Sequence, residues 1–132
     1  MKLEIGMFIR IPIGFDKIEC FNKENVIGYG FITKANHYLL WHKEDNKFSI
    51  DGECFDKEEI KASHNPIDLI EVGDYVNGEQ VRYIEEDTDY RVLAIDEDYT
   101  YIIAGYDCDG FTRPIKSIVT KEQFESMEYK VV

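Results

Sequence analysis

The sequence predicts a mainly β protein made of two tandem copies of one small unit. Residues 3–10 and 70–77 share a Glu, a Gly and most of their apolar positions. A shorter match joins the Ile-Lys-Ala of residues 60–62 to the Ile-Lys-Ser of residues 115–117, near the end of each copy, so the repeated unit is larger than one hairpin. Between these matches, β-branched and aromatic runs alternate with turn-forming residues, which is typical of short antiparallel strands.

The two copies divide the chain into a first repeat, residues 1–69, and an acidic second repeat, residues 70–132. We expect each repeat to be an SH3-like small barrel or a twisted meander, because several short strands follow one another without long helices. Each repeat is expected to end in a short helical turn.

In the first repeat, the apolar pattern predicts strands at residues 7–13, 17–21, 26–33, 38–42, 47–50 and near Ile60. The helical turn is expected at residues 66–70, where Pro66 suits the first helical position. Trp41 is the only Trp of the chain, and we expect it to anchor the core or the junction between repeats in preference to a binding surface.

In the second repeat, strands are predicted at residues 73–76, 80–86, 90–95, 99–106 and 115–120. Asn77 and Gly78 predict a two-residue hairpin turn, because both tolerate the left-handed backbone that such a turn requires. A helical turn is expected over residues 121–127, with Thr120 as its N-cap and Gln123 at the capping-box position.

Composition favours a globular protein with reduced thiols. Hydrophobic residues make up 44% of the chain and aromatic residues 14%, which is enough to build a core despite the high charge. The first repeat begins at once and no apolar run reaches the length of a membrane span, so we expect a cytoplasmic protein of a bacterial host. Cys20, Cys54 and Cys108 are odd in number and widely spaced, which disfavours a disulfide framework or a zinc site.

Charge is distributed unevenly between the repeats. The chain has 27 acidic and 15 basic residues, a net charge of −12. The first repeat holds 9 basic and 12 acidic residues, net −3, and the second holds 6 and 15, net −9. Direct binding to nucleic acid or to anionic lipid requires clustered Lys and Arg, so both are disfavoured. A basic protein partner is favoured, because complementary charge speeds encounter.

The acidic residues of the second repeat are the candidate partner-binding site. In a meander, the turn after the second strand and the turn after the fourth lie at the same end of the sheet, so their carboxylates should converge. The predicted site residues are Glu85, Glu86, Asp87, Asp89, Asp107 and Asp109. Such a cluster can imitate phosphates and occupy a basic groove. Hairpin turns also favour Asp, and acidic surfaces aid solubility, so a solubilising role stays open.

Metal-binding and catalytic patterns are incomplete. Residues 107–110, Asp-Cys-Asp-Gly, resemble the start of a calcium loop but lack its bidentate Glu. His37 and His42 should point to opposite faces of one strand, so they cannot chelate together. Cys54 and His64 form no nucleophile and base pair with an orienting third group. The sequence therefore predicts neither metal nor cofactor, and it predicts a protein that is not an enzyme.

Two segments carry a resemblance to a known group of proteins. Residues 60–78 and 115–125 resemble segments of small uncharacterised acidic proteins encoded by phages and prophages of Firmicutes. The resemblance implies a mobile genetic setting, in which such proteins are often inhibitors of host defence, including anti-CRISPR and anti-restriction proteins. It implies no catalytic residue. The resulting hypothesis is a non-enzymatic inhibitor that mimics nucleic acid and blocks the basic groove of a host defence nuclease or effector. A structural or accessory interaction module and a small-molecule-binding barrel are the alternatives.

Overall fold

A computed structural model describes residues 2–88, 90–106 and 112–127 of the chain. These residues form antiparallel sheets with short 3-10 turns and a seven-residue α-helix, so the predicted mainly β class is confirmed. The chain divides into two compact units, Met1–Leu69 and Ile70–Val132, called unit 1 and unit 2 below. The division falls where the second copy of the Glu-Gly motif begins.

Unit 1 is built on a seven-stranded antiparallel sheet. Its strands are β1 (Phe8–Ile11), β2 (Gly14–Glu24), β3 (Gly28–Thr33), β4 (Tyr38–His42), β5 (Lys47–Ile50), β6 (Glu53–Asp56) and β7 (Lys61–Ser63). They lie in the order β6-β5-β4-β3-β2-β1-β7. Short 3-10 turns cover Lys57–Glu59 and Pro66–Leu69. The last strand therefore returns to pair with the first.

Several bounds in unit 1 differ from the prediction. β4 and β5 have the predicted bounds, whereas β6 was not expected. The strand predicted at residues 7–13 ends at Ile11, because Pro12 and Ile13 form the turn that joins Ile11 to its partner Gly14. β2 is much longer than predicted, because its first residues pair with β1 and its later residues pair with β3, with register shifts along the second pairing.

The core of unit 1 lies between the two parts of this bent sheet. Ile9, Ile18, Leu39 and Phe48 are fully buried and pack in one cluster with neighbouring apolar side chains. Burying side chains of this size stabilises a fold by about 1.5–3 kcal/mol each. Trp41 packs against the cluster and stacks on Phe48 with ring centroids 6.2 Å apart, which agrees with its predicted place at the core.

Unit 2 contains a four-stranded and a three-stranded antiparallel sheet. Its elements are β8 (Tyr75–Val76), β9 (Glu79–Gln80), β10 (Tyr83–Asp87), β11 (Tyr90–Ala94), β12 (Ile102–Tyr106), β13 (Thr112–Arg113), β14 (Ile118–Val119) and the helix α1 (Lys121–Met127). The strand orders are β10-β11-β12-β13 and β14-β8-β9. The strand predicted at residues 80–86 is split, because the buried Val81 leaves the ladder and bonds to Gly73 and Asp74 through its backbone.

The Glu-Gly motif forms the same turn in both units. Gly6 and Gly73 have φ values of 91° and 101°, as the third residue of a type II turn requires. In each copy, the N–H of the residue after the Gly donates to the carbonyl of the Glu, at 3.2 Å and 3.1 Å. Each Gly N–H also donates to the carbonyl of a buried residue, Ile18 of β2 in unit 1 and Val81 between β9 and β10 in unit 2. The motif therefore forms a tight turn just before the first strand of each unit, and its Gly bonds this turn to a core residue.

The second motif match is displaced by one residue. In both units the last strand pairs with the first, β7 with β1 and β14 with β8. Ala62 lies opposite Ile9, and Ile118, not Ser117, lies opposite Val76. The sequence match therefore falls on β7 in unit 1 but just before β14 in unit 2, because strand pairing is set by long-range contacts that a three-residue match does not contain.

The predicted helix and its cap are confirmed. The Thr120 hydroxyl accepts a hydrogen bond from the Gln123 N–H at 3.1 Å, and the Thr120 N–H donates to the Gln123 side-chain oxygen at 2.9 Å. Phe124 stacks on Tyr75 with ring centroids 4.3 Å apart, which fastens the helix to the first strand of unit 2. In the described part of the chain, every helix is too short or too polar to traverse a lipid bilayer.

Candidate functional site

The described part of the predicted acidic site lies on β10, which is at the edge of its four-stranded sheet. Glu85, Glu86 and Asp87 are exposed on this strand. The other predicted site residues, Asp89, Asp107 and Asp109, lie outside the described residues. A charged edge strand has a structural use of its own, because charges discourage unwanted pairing with other strands.

The strand order places the ends of β10 and β12 together, whereas the convergence of the acidic turns themselves stays a prediction, because residues 89 and 107–111 lie outside the described residues. Neighbouring strands from β10 to β13 are antiparallel, so the end of β10 and the end of β12 lie at the same end of the sheet. The register shows this directly, since Asp87 pairs with Tyr90 and the adjacent Arg91 pairs with Tyr106. The strands that flank the two acidic turns are thus brought together by topology.

Glu86 is held in an internal ion pair. Side chains alternate along a strand, so Glu86 projects to the face opposite Glu85 and Asp87. Arg91 lies directly across the strand pair, with its Nε 3.1 Å from Glu86 Oε2. The Arg91 side chain is only 12% exposed and also donates to the Ile70 carbonyl at 3.0 Å. The charge of Glu86 is therefore largely compensated, and its main role is to position Arg91.

Glu85 and Asp87 are the other two carboxylates of the strand, and Glu85 accepts a hydrogen bond from the Tyr90 hydroxyl at 3.5 Å. They project to the same face, and they have no ion-pair partner among the described residues. Asp87 accepts a hydrogen bond from the Thr88 N–H at 2.7 Å, which orients its carboxylate. Partial burial and then the negative charge of Glu85 raise the pKa of Tyr99, so the field of Glu85 reaches the loop that follows β11.

That loop is organised by a third carboxylate. Asp96 accepts hydrogen bonds from the Thr100 hydroxyl and from the backbone N–H groups of Thr100 and Tyr101. These donors, the Thr100 hydroxyl first, hold the pKa of Asp96 below its ordinary value. Glu97 and Asp98 are exposed beside it. Asp96 thus serves the loop, whereas its two acidic neighbours add to the surface charge.

The histidines of unit 1 are each engaged with a separate carboxylate. The pairs are His37 with Asp51 at 2.5 Å, His42 with Asp45 at 2.9 Å and His64 with Glu4 at 2.9 Å. Among the described residues, His, Cys, Asp and Glu side chains form no group of three that could hold a metal ion. Residues 107–110, which resemble part of a calcium loop, lie outside the described residues. Cys54 is an exposed free thiol.

Unit 1 also contains an apolar cleft that the sequence did not reveal. It has a volume of about 480 Å³, and its lining includes Ile5, Phe21, Tyr29, Phe31 and Trp41. These side chains come from the Glu-Gly turn and from three adjacent strands, so their positions in the sequence are far apart. Tyr29 and Phe31, at alternate positions of β3, indicate one apolar face of the strand. The sequence did not show that part of this face is accessible to solvent as a cleft.

Comparison of the chain with models of protein families, with curated proteins and with solved structures finds no match in any of the three. The function is therefore argued from the geometry and the charge of the molecule.

Proposed function

We propose that this chain is a non-enzymatic, protein-binding inhibitor from a phage or mobile element. In this proposal, the acidic surface of unit 2 occupies a basic groove that a host defence nuclease or effector uses for nucleic acid, as in anti-CRISPR or anti-restriction proteins. The observation that carries the proposal is the pair Glu85 and Asp87, two exposed carboxylates on one face of a hydrogen-bonded strand, with no ion-pair partner in the part of the chain that the structure describes.

The charge distribution supports the same assignment. Residues 70–132 hold 15 acidic and 6 basic residues, net −9, whereas residues 1–69 are net −3. A field of one sign attracts a basic partner and speeds association, and it repels nucleic acid and anionic membranes. A rigid strand also presents its carboxylates at a fixed spacing, as a nucleic-acid backbone presents its phosphates. The resemblance of residues 60–78 and 115–125 to phage proteins supplies the setting.

The test begins with capture of a partner from a bacterial host lysate, followed by affinity measurement with a double variant, Glu85→Gln with Asp87→Asn. We expect at least a tenfold loss of affinity, and a steep loss with added salt, because exposed charges are screened over about 8 Å at physiological ionic strength. The matched control is Glu44→Gln with Glu53→Gln, which neutralises two exposed carboxylates of unit 1. Equal affinities for both double variants, or a salt-insensitive complex, would refute mimicry.

A structural or accessory interaction module is the second candidate. It is favoured by Glu86 and Asp96, since each carboxylate is engaged within unit 2, Glu86 with Arg91 and Asp96 with Thr100 and Tyr101. Under this alternative the acidity maintains solubility, and the double variant should bind its partners normally but precipitate more readily. A small-molecule-binding barrel is a further alternative, to which the cleft of unit 1 is relevant.

We also propose that each unit is an SH3-like small barrel. The support is the return of the last strand to the first, β7 to β1 in unit 1 and β14 to β8 in unit 2. An experimental structure of the chain, compared strand by strand with SH3-like barrels, tests this proposal.

A further inference from the structure

The β2–β3 hairpin of unit 1 presents two apolar side chains to solvent. Val26 is 92% exposed and Ile27 is 58% exposed at the turn between the strands. Their exposure is imposed by a well-bonded turn: the Asn25 N–H donates to the Gly28 carbonyl at 3.0 Å, and the Asn25 side-chain oxygen accepts from the N–H groups of Ile27 and Gly28. Val26 is the most exposed of the large hydrophobic residues in the described part of the chain, and contiguous exposed apolar surfaces mark interaction sites.

The apolar cleft lies close to this turn because both are built on the same two strands. Phe21 of β2 and Tyr29 of β3 line the cleft and are 47% and 38% exposed. Ile5, from the Glu-Gly turn, lines it as well and is 56% exposed. Tyr29 is two residues from Ile27 along the chain. Unit 1 therefore carries a projecting apolar element and a receiving apolar cavity side by side.

We propose that two copies of this chain associate through unit 1, with Val26 and Ile27 of each copy seated in the apolar cleft of the other. The arrangement is a twofold dimer, in which one surface pairs with an identical surface. Such an interface requires that the turn with Val26 and Ile27 and the apolar cleft lie close together on each copy. They do, because both are built on β2 and β3.

The chemistry of the cleft favours an aliphatic occupant. Lys43 Nζ lies 5.1 Å from the ring centroid of Tyr29, and Lys57 Nζ lies 4.3 Å from that of Trp41. These ammonium groups already cover one face of each ring, so less ring surface is left for stacking a planar ligand. Short branched side chains such as Val26 and Ile27 match the remaining lining, which is apolar apart from Lys2.

Charge and area are compatible with a second copy as the occupant. Glu24, the carboxylate beside the turn, is paired with Lys43 at 2.7 Å, so its charge is compensated where the two copies meet. The exposed parts of Ile5, Phe21, Val26, Ile27 and Tyr29 amount to about 500 Å² of surface per copy, compared with about 800 Å² per partner in a standard interface. Polar groups at the rim supply the remainder.

Sedimentation velocity of the full chain over a range of concentrations tests the dimer. We expect a concentration-dependent shift from 15.5 kDa to twice that mass. Val26→Asp with Ile27→Asp should raise the dissociation constant at least tenfold, whereas Ile13→Asp, at another exposed apolar position of unit 1, should leave it unchanged. A chain that stays monomeric up to about 1 mM, or a dimer indifferent to the turn variant, would overturn the proposal.

A mixing experiment tests the reciprocal seating itself. The cleft is altered by Ile5→Lys, whose charge is opposite to that of the Asp turn it meets in the mixed dimer, or, if that variant does not fold by circular dichroism, by Phe21→Ser. The turn variant and the cleft variant should each be monomeric alone, but their mixture should form a 1:1 dimer, because one intact turn then meets one intact cleft. Failure of the mixture to associate, with both variants folded, would show that the turn of one copy does not occupy the cleft of the other.

Discussion

Asn77 links two distant segments of unit 2 through one side chain, and its substitution is a direct test of that fold. Its backbone is left-handed, with φ 53°, at the turn between β8 and β9. Its side-chain amide donates to the Pro114 carbonyl at 3.0 Å and accepts from the N–H groups of Lys116 and Ser117 at 2.6 Å and 3.2 Å. A single side chain thus joins the first hairpin to the segment that leads into β14.

The magnitude follows from counting these contacts. A hydrogen bond contributes about 1 kcal/mol net, and partial replacement by water at this exposed site lowers the sum of three to about 1–2 kcal/mol for Asn77→Gly, which keeps the backbone conformation. Asn77→Ala adds about 1 kcal/mol for a left-handed alanine, giving about 2–3 kcal/mol in total. Asn77→Asp retains the two accepting bonds and should cost about 1 kcal/mol by facing a carboxylate oxygen toward Pro114.

Urea unfolding of the three variants measures these differences. Far-UV circular dichroism follows both units, whereas the fluorescence of Trp41, the only Trp of the chain, follows unit 1. We expect the free energy of unfolding to fall in the order Asp, Gly, Ala. A Gly variant within about 0.5 kcal/mol of the natural chain would show that the contacts to residues 114–117 contribute nothing, and would refute the role assigned to Asn77.

Three further outcomes are expected. Gly78→Val should lower the free energy of unfolding by about 1 kcal/mol or more, because Gly78 has φ 82° with open space around it and the cost is backbone strain alone; an unchanged urea midpoint would contradict this. Thr120→Ala should cost about 1–2 kcal/mol by thermal unfolding through loss of the cap to Gln123, and Thr120→Ser should restore most of it. The His64 hydrogen bond holds the pKa of Glu4 below its ordinary value of 4.5. The stabilisation that the ionised Glu4 gives is therefore complete above pH 4.5 and is lost as the pH falls through the lowered pKa. The stability difference between Glu4→Gln and the natural chain should shrink over that pH range, and a difference independent of pH would exclude the pair.

The candidate site was predictable in part. Charge counting identified unit 2 as the acidic half, and the meander topology explained why the ends of β10 and β12 lie together. The sequence could not distinguish Glu86 from Glu85 and Asp87, because the distinction depends on Arg91 lying across the strand pair. The apolar turn was missed for a related reason: Val26 suits a strand by composition, but the side chain of Asn25 ends the strand and turns the chain there.

The sequence by itself determined the local features of this protein. The left-handed turn at Asn77 and Gly78, the turns around Gly6 and Gly73, and the cap at Thr120 depend on backbone preferences and on hydrogen bonds between near neighbours. The tertiary structure alone decided the register of the last strands, the division of β2 between two partners, the pairing of Glu86 with its cation and the open cleft in unit 1. The physical reason is that each of these depends on residues far apart in the chain, whose contacts are selected by burial of the whole core and not by local preference.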